Sequence, residues 1–299
     1  MTLREALQSV TRTLDDATID DARAEAELLV GHVLSMSRAQ LYTAPERKLT
    51  PAETEQLAGL VRRRLDREPA PYILGHCRFC DIDFHVDRRA LVPRPETELL
   101  VEKAVEIARR LHDPGQHISI ADIGTGCGAI AVSLALALPE AGVYATDISA
   151  SALQVATRNC RQHGVDDRVQ LLAGNLLEPL PHPVDMIVAN LPYIRSADFA
   201  ALSPEIRDYE PMMALDGGED GLGLIREMLE QVPPKLNNRG CFLLEIGAGQ
   251  AGATTSLVDA HFPHADVELL PDLAGIPRVV TVVPRKRVSS RRGLEKGKE

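Results

Sequence analysis

Apolar residues recur at helical spacing from the start of the chain: Leu3, Leu7, Val10 and Leu14, then Ala22, Ala26, Leu29, Val30 and Val33. Thr50-Pro51-Ala52-Glu53 reads as an N-cap, a first-turn proline and a capping-box glutamate. They open a helix through Leu57, Leu60, Val61 and Leu65, which Pro69 and Pro71 end. With no strand pattern here, residues 1–71 predict a small all-α domain. The period then changes. Phe79, Ile82, Phe84 and Val86 predict a β-hairpin linker within residues 72–92, and LVPRPETE leads into a helix through Leu99, Leu100, Val101 and Val105.

From Ile118 strands and helices alternate. Strands are predicted at 118–123, 142–147, 168–172, 184–189, 241–246, 266–270 and 278–283, with helices around 129–138, 150–163, 222–231 and 250–261. Alternation of this kind implies a parallel sheet covered on both faces, here an α/β domain over residues 93–284. The loop from Pro271 to Pro277 is too short for a parallel crossover, so the last two strands should pair antiparallel at the sheet edge.

Composition narrows the class. With no Trp and 3% aromatic residues, the core must be largely aliphatic. No apolar run approaches the roughly 20 residues that span a bilayer, and the charged N-terminus lacks a signal-like apolar core. Five cysteines make no disulfide framework in a chain of 299 residues, and a cytoplasmic protein with reduced thiols is expected. The net charge is −10, yet residues 285–299 carry seven basic and two acidic side chains, which leaves −15 on the rest. A body this acidic disfavours direct nucleic-acid binding, and the polar tail is expected to be disordered.

The first chemical motif is Asp122-Ile123-Gly124-Thr125-Gly126-Cys127-Gly128, between a strand and an Ala-rich helix. Glycines here let the backbone turn tightly and approach a ligand closely. Asp147 ends the next strand, where a carboxylate can hold both hydroxyls of a ribose. The order strand, loop, helix, acid points to a nucleoside-containing cofactor rather than a plain turn. It does not choose the cofactor, because Gly124, Gly126 and Ala129 also satisfy the loose dinucleotide pattern. Asp122 is suited to a cationic group such as a methionine ammonium, or to stabilising the loop by accepting backbone hydrogen bonds.

The second motif, Asn190-Leu191-Pro192-Tyr193, ends the fourth strand. The Asn190 side-chain carbonyl and the Leu191 backbone carbonyl can accept both hydrogens of one NH2 group, and Tyr193 can stack on its flat face. An amide or aromatic-amine nitrogen is a weak nucleophile, so two such acceptors favour charge build-up on it as a methyl group arrives. The alternative is a strand-ending turn, which Asn and Pro favour. A dehydrogenase would not need this tetrapeptide, which favours S-adenosylmethionine over NAD.

These motifs and their spacing resemble amino-methyltransferases with a seven-stranded sheet. Tyr72-Ile73-Leu74-Gly75, Arg78-Phe79, LVPRPETELLVEKAV, RDYEPMMALDGGEDGLGLI, GCFLLEIGAGQ and DLAGIPRVV further resemble the release factor glutamine methyltransferase family (HemK/PrmC type), over about residues 70–283. The resemblance implies a Rossmann-like S-adenosylmethionine methyltransferase fold behind a helical, substrate-recognising N-terminal domain. It implies methyl transfer to the side-chain nitrogen of the glutamine in the Gly-Gly-Gln motif of peptide-chain release factors, the expected partners. Asp122, Gly124, Thr125, Gly126, Cys127, Gly128 and Asp147 would then bind the cofactor, and Asn190 to Tyr193 the glutamine amide, with Asn190 also near the cofactor.

Two departures stand out. The family usually carries Asn-Pro-Pro-Tyr; Leu191 still supplies the backbone carbonyl but not the rigidity of proline. Asn-Leu-Pro-Tyr is also the form in ribosomal RNA adenine dimethyltransferases, which keeps an adenine-N6 methyltransferase as the alternative. Asn175 stands where the family tends to have Asp near the adenine, and its carbonyl oxygen can still accept from the adenine amino group.

Remaining features are weaker. His76, Cys77, Cys80 and His85 do not predict zinc, because Cys77 and Cys80 in one strand would face opposite ways. Cys127 reads as a packing residue and no nucleophile. Arg94, Glu96 and Glu98 order the cofactor pocket or form a salt-bridged linker. Asp216 to Gly223 forms a wall beside the substrate or merely a loop.

Overall fold

The computed structural model describes residues 1–111 and 116–285; all of the basic tail except Arg285 lies outside them. The chain opens with α1 (Leu3–Asp16), α2 (Ala22–Leu34), α3 (Arg38–Thr43), α4 (Pro51–Leu65) and α5 (Ala70–Leu74). Leu3, Ala6, Val10 and Leu14 form the buried stripe of α1 against Ala22, Ala26, Leu29 and Val30 of α2. The capping box at Thr50 and Glu53 is present, with Pro51 in the first turn. Pro69 and Pro71 do more than end α4: they flank the start of α5, where a missing N–H costs nothing.

One apolar expectation fails on α4. Leu65 is exposed, and Arg64 beside it is 4% exposed. The guanidinium is held by Glu25 of α2 at 2.5 Å and by Glu205 at 3.0 Å. Two carboxylates make its burial tolerable, a tertiary fact that hydropathy cannot express.

β1 (His76–Phe79) and β2 (Ile82–His85) form the expected hairpin. Its two-residue turn, Cys80-Asp81, has positive φ at both positions, the twist that suits a tight hairpin. The Cys80 N–H is held at 2.8 Å by Glu98 of α6 (Pro95–Leu111). Cys80 thus sits in the turn, not on the strand with Cys77.

The remaining elements alternate: β3 (Ile118–Ile123), α7 (Ala129–Ala137), β4 (Ala141–Asp147), α8 (Ala150–Gln162), β5 (Val169–Ala173), β6 (Val184–Ala189), α9 (Pro204–Tyr209), α10 (Gly223–Lys235), β7 (Leu236–Glu245), α11 (Ala251–His261), β8 (Asp266–Pro271) and β9 (Pro277–Val283). The sheet order is β5-β4-β3-β6-β7-β9-β8. All neighbours are parallel except β9, antiparallel to both β7 and β8. β7 starts earlier than its apolar run, with exposed Asn237, Asn238 and Arg239 ahead of buried Cys241 to Glu245. The core on both faces is dominated by Leu, Ile, Val and Ala, although Phe79, Phe84 and Phe242 are among the largest fully buried side chains.

β3 lies beside both β4 and β6, and the chain departs to opposite sides of it. This is the switch point, where carboxyl ends of parallel strands leave a crevice for a ligand. Register sets the level of the groups there. Ile123 pairs with Ala189, and Ala189 with Leu244, so Gly124, Asn190 and Glu245 follow at one height on three adjacent strands.

Candidate active site

The glycine loop leaves β3 at the switch point with Gly124 exposed and Gly126 half-buried. Gly126 has φ +57° and open space where a side chain would stand, so its backbone is presented to whatever fills the crevice. The Gly124 and Thr125 amides both donate to the Thr146 carbonyl at 2.9 Å, which fastens the loop to β4. Asp147, at the end of β4, accepts from the Gly126 amide through Oδ2 and from the Ser149 amide through Oδ1, each at 2.8 Å. Burial raises its pKa, against those two donors. Each carboxylate oxygen retains a lone pair for a further donor.

The other loop residues are buried. Asp122 is 0% exposed. Its Oδ2 accepts from the Thr125 hydroxyl at 2.6 Å and from the Ala131 amide at 3.1 Å, so the acid ties the loop to the first turn of α7. Its Oδ1 has no partner among the described residues, and burial pushes its pKa up to about 7. Of the two roles read for Asp122, loop stabilisation is visible, and one oxygen remains to receive a donor. Thr125 and Cys127 have buried side chains, the Thr125 hydroxyl being spent on Asp122. Burial raises the Cys127 thiol far above its ordinary range, which fits packing and not nucleophilic chemistry. Gly128 packs where an added Cβ would lie 3.2 Å from that of Ala156 on α8.

Asn175 follows β5 and donates Nδ2 to Glu227 of α10 at 2.5 Å. A carboxylate can only accept, so the amide must turn its nitrogen to Glu227, and nothing among the described residues donates to its carbonyl oxygen.

Asn190 donates Nδ2 to the Thr97 hydroxyl of α6 at 3.0 Å. Its carbonyl oxygen is therefore turned away from α6. Among the described residues nothing donates to the Leu191 carbonyl, while the Leu191 side chain is buried against the glycine loop. The Tyr193 carbonyl accepts from Gln250 Nε2 at 3.0 Å, and burial lifts the phenol to about 12.

The segment from Asp216 to Gly223 is bonded to this motif. Ile194 bridges Asp216, with Ile194 N–H to the Leu215 carbonyl at 3.0 Å and Gly217 N–H to the Ile194 carbonyl at 2.8 Å. At Gly217 an added Cβ would come within 2.8 Å of the Pro192 oxygen and the Tyr193 Cα. The segment is thus a wall set against the tetrapeptide. In the linker, Arg94 pairs with buried Glu210 at 2.6 Å, Glu98 caps the hairpin turn, and Glu96 is exposed. Arg94 and Glu98 form the salt-bridged or capping contacts read as their alternative role.

Two polar residues here had no role in the sequence reading. Thr97 is the partner of Asn190. Glu245, 2% exposed, lies in hydrogen-bonding range of Thr97 and Asn190, and burial raises its pKa to about 7. Its signal was available: a lone acid ending the apolar run Cys241-Phe242-Leu243-Leu244, as Asp147 ends β4. Thr97 had none, being one polar residue among the charges of PRPETE. Cys77 and Cys80 are half-buried with thiols pushed up to about 12 by burial, and no group of three metal-binding side chains occurs among the described residues.

Comparison with known proteins agrees with this architecture. The PrmC N-terminal domain profile matches residues 5–75, and the methyltransferase small domain profile matches residues 97–203. A release factor glutamine methyltransferase of Moorella thermoacetica is 43% identical over 93% of this chain and 97% of its own length. One from Geobacter sulfurreducens is 40% identical over 93% and 95%. For the fold alone, a methyltransferase from Pyrococcus furiosus, 16% identical, superposes with a TM-score of 0.50 over 70% of this chain and 91% of its own. Identity at this level across nearly the full length of both chains places the protein: it belongs to the release factor glutamine methyltransferase family.

Proposed function

We propose that the protein transfers a methyl group from S-adenosylmethionine to the side-chain amide nitrogen of the glutamine in a release factor's Gly-Gly-Gln motif. The observation that carries this reading is the pair of free acceptors, the Asn190 side-chain carbonyl and the Leu191 backbone carbonyl, beside the glycine loop at the switch point.

The residues fit the cofactor. Among the described residues Asp122 keeps a buried oxygen without a partner, Gly126 opens on empty space, and nothing donates to the Asn175 carbonyl oxygen. In this reading Asp122 receives the ammonium, the Gly124–Gly128 backbone lies along the cofactor, Asp147 takes the ribose hydroxyls and Asn175 the adenine amino group. The bound cofactor supplies an electrophilic methyl on a sulfonium. Asn190 and Leu191 each accept one N–H of the substrate amide, which fixes its plane and aims the nitrogen lone pair. Both acceptors bind more strongly as positive charge grows on that nitrogen, so they lower the barrier and not only the binding energy. Tyr193 covers the flat face of the amide. No strong base is required: the S–C bond would break to leave a neutral thioether, and the amide proton, acidic only once the nitrogen carries the methyl group, would then pass to water.

The helices of residues 1–71 are read as the part that grips the release factor away from the reacting group. They open a cleft of about 880 Å³ lined by residues including Arg4, Arg12, Arg23 and Tyr42. The acidic body disfavours a direct nucleic-acid contact. No helix of the described residues is long and apolar enough to cross a membrane, and a release factor as substrate supports the reading of a cytoplasmic enzyme.

The test is methylation with labelled S-adenosylmethionine, offering whole release factor and ribosomal RNA in parallel. The expected result is a gain of one CH2 on the Gly-Gly-Gln peptide by mass spectrometry, abolished by Asn190→Ala. Label in ribosomal RNA with an unmodified peptide would replace the glutamine reading by the adenine one.

A further inference from the structure

We propose that Glu245 and Thr97 are positioning residues: a directional hydrogen-bond relay from Asn190 through Thr97 to Glu245 turns the Asn190 carbonyl oxygen toward the substrate. The proposal deepens the reading above and rests on it for the identity of the substrate.

An asparagine amide is nearly symmetric in shape, and its two ends differ only in donating or accepting. If Asn190 were flipped, an NH2 would meet the substrate NH2 and the acceptor would be lost. Something must forbid the flip, and the three residues do so in sequence. An ionised carboxylate has no proton, so Glu245 can only accept. The Thr97 hydroxyl, within its range, therefore spends its one proton on Glu245. That leaves Thr97 Oγ1 with lone pairs only, and it can bond Asn190 solely through Nδ2, the contact seen at 3.0 Å. The second Nδ2 hydrogen has Glu245 within range, which also can only accept, so the carbonyl oxygen of Asn190 is the end turned to the crevice.

The setting isolates the relay. Thr97 and Glu245 are both buried, so water does not compete for these bonds. They come from two different elements, α6 and β7, and the strand register sets Glu245 beside Asn190. One Glu245 oxygen, Oε2, has no partner among the described residues, so the carboxylate is not consumed in a salt bridge that would explain its burial. The charged and titratable groups facing it are Arg278 of β9, which favours its ionised form, Glu96 of α6, which opposes it, and the Tyr193 phenol. Burial outweighs Arg278, so the relay is sensitive to pH: below about 7 a protonated Glu245 can donate, and the polarity of Thr97 and Asn190 is no longer dictated.

The experiment compares the wild-type protein with Thr97→Val, Thr97→Ser and Glu245→Gln. Isothermal titration with S-adenosylmethionine is expected to give affinities within about twofold of wild type in all three. Steady-state kinetics on whole release factor should show kcat reduced on the order of 10–100-fold in Thr97→Val, in line with loss of one preorganised polar contact. Thr97→Ser, which keeps the hydroxyl, should restore most of it. Wild-type kcat should rise through about pH 7, and that rise should be absent in Glu245→Gln. Independently of any substrate, the Asn190 side-chain amide should give a slowly exchanging resonance in 15N spectra at pH 8 that Thr97→Val removes. Wild-type kcat in Thr97→Val, a pH limb that survives Glu245→Gln, or loss of cofactor binding in step with activity would each overturn the relay. If the wild-type protein methylates no release factor, the substrate reading fails, and the Asn190 resonance alone decides the relay.

Discussion

At the scale of the residue, two buried acids govern how the protein answers pH. Glu245 is raised from 4.5 to about 7 and Asp122 from 3.8 to about 7, both by burial. Between the unfolded and folded values the native chain holds protons that the unfolded chain has given up. Stability from this source is therefore complete below about pH 4 and falls as pH rises toward 7. Replacing Glu245 by Gln removes the cost of ionising a buried group. Relative to wild type, the variant is expected to be more stable at pH 8 than at pH 5, by on the order of 2–3 kcal/mol. Denaturant unfolding at the two pH values measures this, and an unchanged difference contradicts it. If Glu245 orients Asn190, the same ionisation that weakens the fold enables the reaction, a familiar conflict between stability and activity.

At the scale of the element, the crevice depends on backbones lying closer than side chains permit. Gly217 leaves no space for a methyl group against Pro192 and Tyr193. Gly217→Ala must push the 216–223 wall away from the tetrapeptide and break the bridge at Ile194. The close neighbours of Gly217 are Gly221, Pro192 and Tyr193, none of them in the glycine loop. The expected outcome is therefore a large fall in kcat with cofactor affinity little changed, measured by kinetics and titration together. Equal loss of both would mean that the wall also supports the cofactor loop. This dependence was partly legible beforehand: the glycine-rich run from Asp216 stood out, but its partner did not, since the bond to Ile194 joins segments brought together only by folding.

At the scale of the whole molecule, the helical and α/β parts are joined by charge. Arg64 of α4 pairs with Glu205 of α9, Arg67 reaches the same carboxylate at 3.2 Å, and the Tyr209 hydroxyl donates to the Asp66 carbonyl at 2.5 Å. α9 is the first α-helix after the tetrapeptide, separated from it by a 3-10 turn at Ser196–Ala201, so the helices meet the sheet through the segment that leaves the reacting residues. Arg64→Ala strands Glu25 and leaves Glu205 with Arg67 alone, and should cost about 3 kcal/mol in denaturant unfolding. If the helices grip the release factor, kcat/KM on whole release factor should fall further than on a short Gly-Gly-Gln peptide, and equal losses would argue against that role. The period of apolar residues determined the elements, because burial of one face is a local demand written at 3.6 or 2 residues. It determined the parallel sheet, the antiparallel edge pair and the placing of both motifs at strand ends, because alternation and short loops leave few topologies. Which polar groups are buried was decided only by tertiary structure. Arg64 lies inside because carboxylates from α2 and α9 converge on it, Asp122 is buried where the Thr125 hydroxyl and the Ala131 amide meet one of its oxygens, and Thr97 and Glu245 meet Asn190 from two other elements. A polar side chain can be buried only where partners arrive from elsewhere in the chain, and hydropathy along the sequence carries no record of that arrival.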